Sequence, residues 1–229
     1  MVTAQRPGDA AAVLATAYGG VVDLVGELTD EDGWTPTRCT GWCVRDLLFH
    51  LYADARRGLA VLSTPVDGSP VVDRDWVTYW EDWRPGPDRY HDGLRMVRIS
   101  ASTFPSLAAL RDLHAGTALA TVARGRAVEP RTVVTTQGHA LTAEDLMLTL
   151  AVEAAVHHLD LVVGLGRPGP AREPVRVARN VVDGLLGADS LPADWDDVTA
   201  VLVGTGRLTP TADQAVTLGT VVQRLPAFS

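Results

Sequence analysis

The chain has 229 residues, 46% hydrophobic and 21% charged, an ordinary globular composition with room for one main domain and a small appendix. A net charge of −8 with no basic run excludes a surface that tracks phosphates, so no nucleic-acid partner is expected. No apolar stretch reaches the ~18 residues of a membrane span, and lysine is absent, which excludes Schiff-base chemistry, a Walker lysine and a lysine general base. The N-terminus, MVTAQRPGDAAAVL, lacks the basic head and long apolar core of a secretory signal, so a cytoplasmic protein is expected. Cys39 and Cys43 have no second pair to complete four metal ligands and read as free thiols.

Gly8 to Leu28 has the spacing of an amphipathic helix, weakened by Gly19 and Gly20. A second helix is expected from near Cys43, capped by Thr40 or a neighbour, to about Leu62. Trp76, Trp80 and Trp83 fall at spacings of four and three, as on one helical face forming core or cleft wall. Helical pattern continues from about Asp88 to Gly125, with a break near Thr103 to Pro105, where Pro105 can open a new helix. Thr132 to Thr136 is a short β-like run before a turn at Gly138. Thr142 with Asp145 then resembles a capping box for a helix through Val163. Beyond Pro170, EPVRVARNVVDGLLG is one more helix, and DVTAVLVGTGRLTPTADQAVTLG is ambiguous between helix and strand.

Histidine and carboxylate interrupt two apolar helices. Glu153 and His157, four apart, lie ~40° apart around a helix and suit two ligands of one ion. His158 lies ~100° further round and points elsewhere, while Asp160 is placed to accept the second N–H of His157. A third ligand must come from another helix, and His50, after Leu47, Leu48 and Phe49, is the best candidate. Cys43, Asp46, His50, Asp54 and Arg57 share its stripe, so Cys43 can border the site or be a core thiol. Spacing alone leaves a metal site and hydrogen-bonded core histidines both open, and His50–Asp54 can be simple helix polarity. His91, His114 and His139 suggest no role.

The segment GWTPTRCTGWCVRDLLFHL resembles the N-terminal signature of the mycothiol-dependent maleylpyruvate isomerase family, within the DinB-like helical superfamily. Trp34, Pro36, Thr37, Cys39, Gly41, Trp42, Val44, Asp46, Leu47, His50 and Leu51 match it. Glu153 and His157 with Asp160 resemble the family's second signature, and Gly204 to Arg207 is similar to the tail of many members. The resemblance implies a mainly α, up-down-up-down four-helix bundle over residues 1–168 and a small C-terminal region of mixed or helical structure over 169–229. It implies one divalent metal ion, usually zinc, held by His50, Glu153 and His157, with Asp160 behind His157. Two imidazoles and one carboxylate leave an open position, which suits a catalytic ion.

The implied activity is attack by a low-molecular-weight thiol, mycothiol, on an electrophilic small molecule, as isomerase or S-transferase. The alternatives are a hydrolase using metal-bound water and a non-catalytic binding protein on the same scaffold. An acid substrate would need cations, and Arg57 and Arg207 are the candidates. The partners expected are the electrophile and the thiol, with no membrane, for a monomer or a homodimer.

Overall fold

A computed structural model describes residues 7–64, 66, 70–83, 90–187 and 190–228. Helix α1, Ala10–Gly26, starts where the Asp9 carboxylate accepts from the Ala12 N–H at 3.0 Å. Its Leu14, Ala17, Tyr18, Val21 and Val25 recur at helical spacing and are buried. Helix α2, Val44–Ser63, opens at Cys43 and not at Thr40, because Asp46 in its first turn reaches back to accept from the Cys43 N–H (3.1 Å) and Sγ (3.2 Å). Helix α3, Tyr90–Ser102, is followed by a turn, and α4, Leu107–Ala127, begins two residues after Pro105. Ser106 is its cap, since its hydroxyl is free to accept from the Ala109 N–H at 3.1 Å.

Strands β1, Val133–Thr136, and β2, His139–Thr142, form an antiparallel hairpin. Gln137 and Gly138 both adopt positive φ, 50° and 90°, the geometry that a two-residue hairpin turn demands. Thr142 caps α5, Ala143–Val162, by accepting from the Asp145 N–H at 3.1 Å. The Asp145 carboxylate also reaches across to the Trp76 N–H at 3.3 Å, tying the 73–83 strap to the bundle. In that strap the tryptophans lie on a turn and a short 3-10 helix, Thr78–Trp83, in place of a longer α-helix. Trp76 and Trp80 are buried, and Trp80 stacks at 4.5 Å on Phe228 near the chain's end.

The expected mainly α bundle forms from α1, α2, α4 and α5, with α5 buried on almost every side. The directions do not alternate. Helix α2 runs parallel to α4, because Thr121 donates to the Ala55 carbonyl (3.0 Å) and Arg124 to that of Leu62 (3.0 Å). Gly20 of α1 lies against His158, so α1 and α5 also run together, while Gly58 meets Leu150 across an antiparallel pair. The order is therefore up-down-down-up, since the segment between α2 and α4 returns to the start of α2, where Arg45 donates to the Phe104 carbonyl at 3.0 Å.

Among the described residues the regular elements of the C-terminal segment are helices: α6, Arg172–Leu186, α7, Asp197–Gly204, and α8, Ala212–Leu218. Buried Arg179 of α6 fastens the loop before α7, donating to the Pro192 carbonyl at 2.8 Å and pairing with Asp183 and Asp197. Helices α6 and α7 touch at Gly204, where an added Cβ would come within 2.4 Å of Cγ1 and 2.9 Å of Cγ2 of Val182. A β-branched valine has little rotamer freedom to yield. Gly204→Ala should therefore destabilise the fold by about 1–3 kcal/mol, read as a lower denaturant midpoint at unchanged slope.

Candidate metal centre

The loop before α2 explains why its residue types are specific. The Thr37 hydroxyl donates to the Trp42 carbonyl (3.0 Å) and accepts from the Cys39 N–H (3.2 Å). Gly41 turns the chain at φ 83°, a conformation that side chains disfavour. Arg38 N–H donates to the Asp160 carbonyl at 3.2 Å, lashing the loop to the end of α5. Gly164 allows the close approach: a Cβ there would meet Thr35 Cγ2 at 2.6 Å and the Pro36 oxygen at 3.1 Å. The loop thus brings Cys39 to α5 and starts α2 so that His50 faces Glu153.

His50 Nε2 lies 2.9 Å from Glu153 Oε1, and His157 Nε2 lies 3.4 Å from the same oxygen. The two imidazoles meet edge to face with centroids 4.8 Å apart. His157 Nδ1 is 2.9 Å from Asp160 Oδ2, an oxygen that also takes Cys39 Sγ at 3.3 Å and Arg207 Nε at 3.2 Å. With Nδ1 held by Asp160, Nε2 of His157 is directed at Glu153 and His50, the orientation that a metal-bound imidazole would take. Burial alone would raise the Glu153 carboxyl, but hydrogen bonds and charge from His157 and His50 hold it well below its usual range. Burial would likewise lower His157, yet Asp160, Cys39 and Glu153 draw it well above its ordinary value. The cluster's own electrostatics favour a positive charge between the imidazoles and the carboxylate.

Two trios bring donor atoms within 4.8 Å of one another: His50, Glu153 and His157, and Cys39, His157 and Asp160. Charge separates them. The second already holds the Arg207 guanidinium on its carboxylate, and its donors are engaged with each other. A divalent cation added there would meet a like charge. The first trio gathers two nitrogens and an oxygen on one point, with His50 and Glu153 exposed at 27% and 22%, so one side stays open to a small molecule. The donor set fits zinc or a similar divalent ion.

Near the trio lie Trp42, which the resemblance marked, and Arg57, which shares the His50 stripe, together with Tyr79 and Tyr18, which the sequence did not single out. Trp42 lies 5.4 Å from the His50 ring and donates to the Leu94 carbonyl at 3.4 Å. Arg57, two turns beyond His50, is ion-paired with Asp54 and donates to Thr136 Oγ1 at 2.9 Å. Tyr79 donates to the Gln137 side chain, and burial pushes its phenol up to about 12. Tyr18 is buried, and its phenol is raised first by that burial and then by Asp54. Cys43 pairs with Asp46 and does not reach the cluster.

The other histidines lie apart. His158 approaches the Pro168 carbonyl (3.3 Å), and His139 bridges Asp73 and Asp82. His114 is buried, which pushes it down to about 4. The His91 side chain lies outside the described residues.

Fold and site together define a helical-bundle protein with a candidate three-ligand metal centre. The chain belongs to the family of the mycothiol maleylpyruvate isomerase N-terminal domain, whose model matches residues 14–162 and so spans all three candidate ligands. No curated protein and no solved structure matches it. No helix among the described residues is long and apolar enough to cross a membrane.

Proposed function

We infer that this chain is a metal-dependent enzyme that uses mycothiol or a similar small thiol to attack an electrophilic small molecule, as an isomerase or S-transferase. The observation that carries the reading is the convergence of His50, Glu153 and His157 on one half-open point inside a bundle of this family. A divalent ion held there supplies a Lewis acid that favours thiolate over thiol near neutral pH.

The chain's own groups do the rest. His50 and His157 would turn Nε2 toward the ion, and Glu153 supplies the carboxylate of the trio. Asp160 fixes the ring of His157, and His157 and then Arg207 hold the Asp160 carboxyl below its usual range against its burial. The ring of Trp42 covers one side of His50. The test is turnover of an activated alkene by zinc-reconstituted protein, with and without mycothiol. Strict thiol dependence, with about one equivalent of bound zinc, is the expected result. Turnover by water alone would replace this reading with a hydrolase, and absence of zinc after reconstitution would sink both.

A further inference from the structure

Away from the metal centre, His139 of strand β2 has a carboxylate at each ring nitrogen. Nδ1 lies 2.8 Å from Asp73 Oδ2, and Nε2 lies 3.1 Å from Asp82 Oδ2. Both acids belong to the 73–83 strap, so one ring spans from the hairpin to two separate points of it. A neutral imidazole carries one N–H and one lone pair, and only the imidazolium donates on both sides. Once the proton is gone, one of the two carboxylates faces a lone pair.

The two ends of the strap differ in what else holds them. The Asp73 N–H donates to the Ala140 carbonyl at 3.1 Å, and Asp73 Oδ1 accepts from the Ala140 N–H at 2.7 Å. Those bonds keep that end on β2 whatever the ring does. Among the described residues, the Asp82 carboxylate reaches the hairpin through His139 alone, since its other partner, Arg74 at 3.1 Å, is on the strap itself. The Tyr79 hydroxyl also ties this end, to the Gln137 side chain. Burial pushes that phenol up to about 12, so this tie is the same at pH 5 and at pH 8.

The charges about the ring are few. On the strap they are Asp73, Asp82, Arg74 and Glu81, which acts on Arg74. The hairpin, Val133 to Thr142, bears no other titratable side chain. From α2, Arg57, paired with Asp54, reaches Thr136, the cross-strand neighbour of His139, and from α5 Asp145 reaches Thr142.

We propose that His139 is a proton-operated latch: as the imidazolium it clasps the Asp82 end of the strap to the hairpin, and on losing its proton it loosens that end while Asp73 stays in place. The inference is independent of what the metal centre does. The hold is present in acid and is lost as pH rises through the range in which imidazoles give up their proton, pH 5 to 8. Trp76 and Trp80 are buried, so the loosening is confined to the 3-10 turn that carries Glu81, Asp82 and Trp83. The two carboxylate side chains are 45% and 49% exposed, which limits the effect to a few-fold.

The experiment is amide hydrogen exchange of the full chain at pH 5.5 and pH 8, with each rate divided by the intrinsic rate at that pH. Protection at Glu81 to Trp83 should be about threefold lower at pH 8, with the amides of α6 as an unchanged reference. His139→Gln should make the protection of this turn independent of pH. Asp82→Asn should invert the trend, because its amide N–H can donate to the lone pair of the neutral ring and not to the imidazolium. Equal protection at both pH values in wild type, or a pH dependence that survives in His139→Gln, would overturn the proposal. So would an Asp82→Asn variant with protection lowered equally at both pH values, the result of losing a merely structural ion pair.

Discussion

Replacing His157 with alanine should remove the ion and lower thiol-dependent turnover by more than about 100-fold. His157 is the one residue common to both candidate trios, and it alone links the open side to the buried Asp160. Changes one shell further out already cost about 10- to 100-fold at metal sites, so loss of a ligand should exceed that. Fold stability should suffer less, because Asp160 keeps Arg207 and Cys39 as partners in the variant. Elemental analysis of wild type and variant, purified without a metal-binding tag, measures the first effect, and thermal melting measures the second.

Two neighbours make the result specific. His158→Ala should keep the ion, since that ring faces Gly20 and Pro168. Cys39→Ser should keep it as well if His50, Glu153 and His157 are the ligands. Loss of metal in Cys39→Ser with retention in His50→Ala would move the site to the other trio. The pH dependence follows from the proton that His157 holds in the metal-free protein. Its raised pKa means that this proton contributes stability below the unfolded value, ~6.5, and that the contribution is lost as pH rises through the folded value. Zinc displaces that proton, so uptake near neutrality should release protons, and affinity should fall on acidification.

That His50, Glu153 and His157 come together was legible because each breaks an apolar helix, and i, i+4 spacing puts Glu153 and His157 on one face. Spacing could not say which partner helix faces them. The signature around Trp34 to Leu51 did, and its physical content is the Thr37–Gly41 turn that lashes Cys39 to α5. Cys39 is the free thiol that the sequence suggests, but nothing local shows that its Sγ meets an aspartate 121 residues away. Tyr18 gave no signal either: an aromatic residue on the buried stripe of α1 looks like packing until its hydroxyl is seen without a partner among the described residues. Direction was the least readable feature of the fold. Periodicity finds α2, α3 and α4, yet whether α3 is a bundle member or a return segment depends on contacts such as Thr121 to Ala55. The second hairpin strand escaped notice because it runs straight into the cap of α5, with Thr142 ending one element as it starts the next.

Asp160→Ala should be the most damaging substitution to the fold, and its cost can be divided. Asp160 is fully buried and accepts from His157, Cys39 and Arg207 through one oxygen. Removing it strands the guanidinium of Arg207, whose side chain is 12% exposed, and breaking a buried pair in this way costs about 3–5 kcal/mol. It also frees the ring of His157, which should weaken zinc binding about 10- to 100-fold. A second substitution separates the two effects. In Asp160→Ala with Arg207→Met no charge is stranded, so most of the stability should return, while zinc affinity should stay low because nothing orients His157. Burial would raise the Asp160 carboxyl, but His157, Arg207 and Cys39 together hold it below its usual value. A depressed carboxyl contributes stability above its unfolded value, ~3.9, and loses it as pH falls through the folded value. The wild type should therefore show an acid-labile step below about pH 4 that both variants lack. Wild-type zinc affinity in Asp160→Ala would show that His157 needs no such support, and the assignment of Asp160 as its positioning residue would fall.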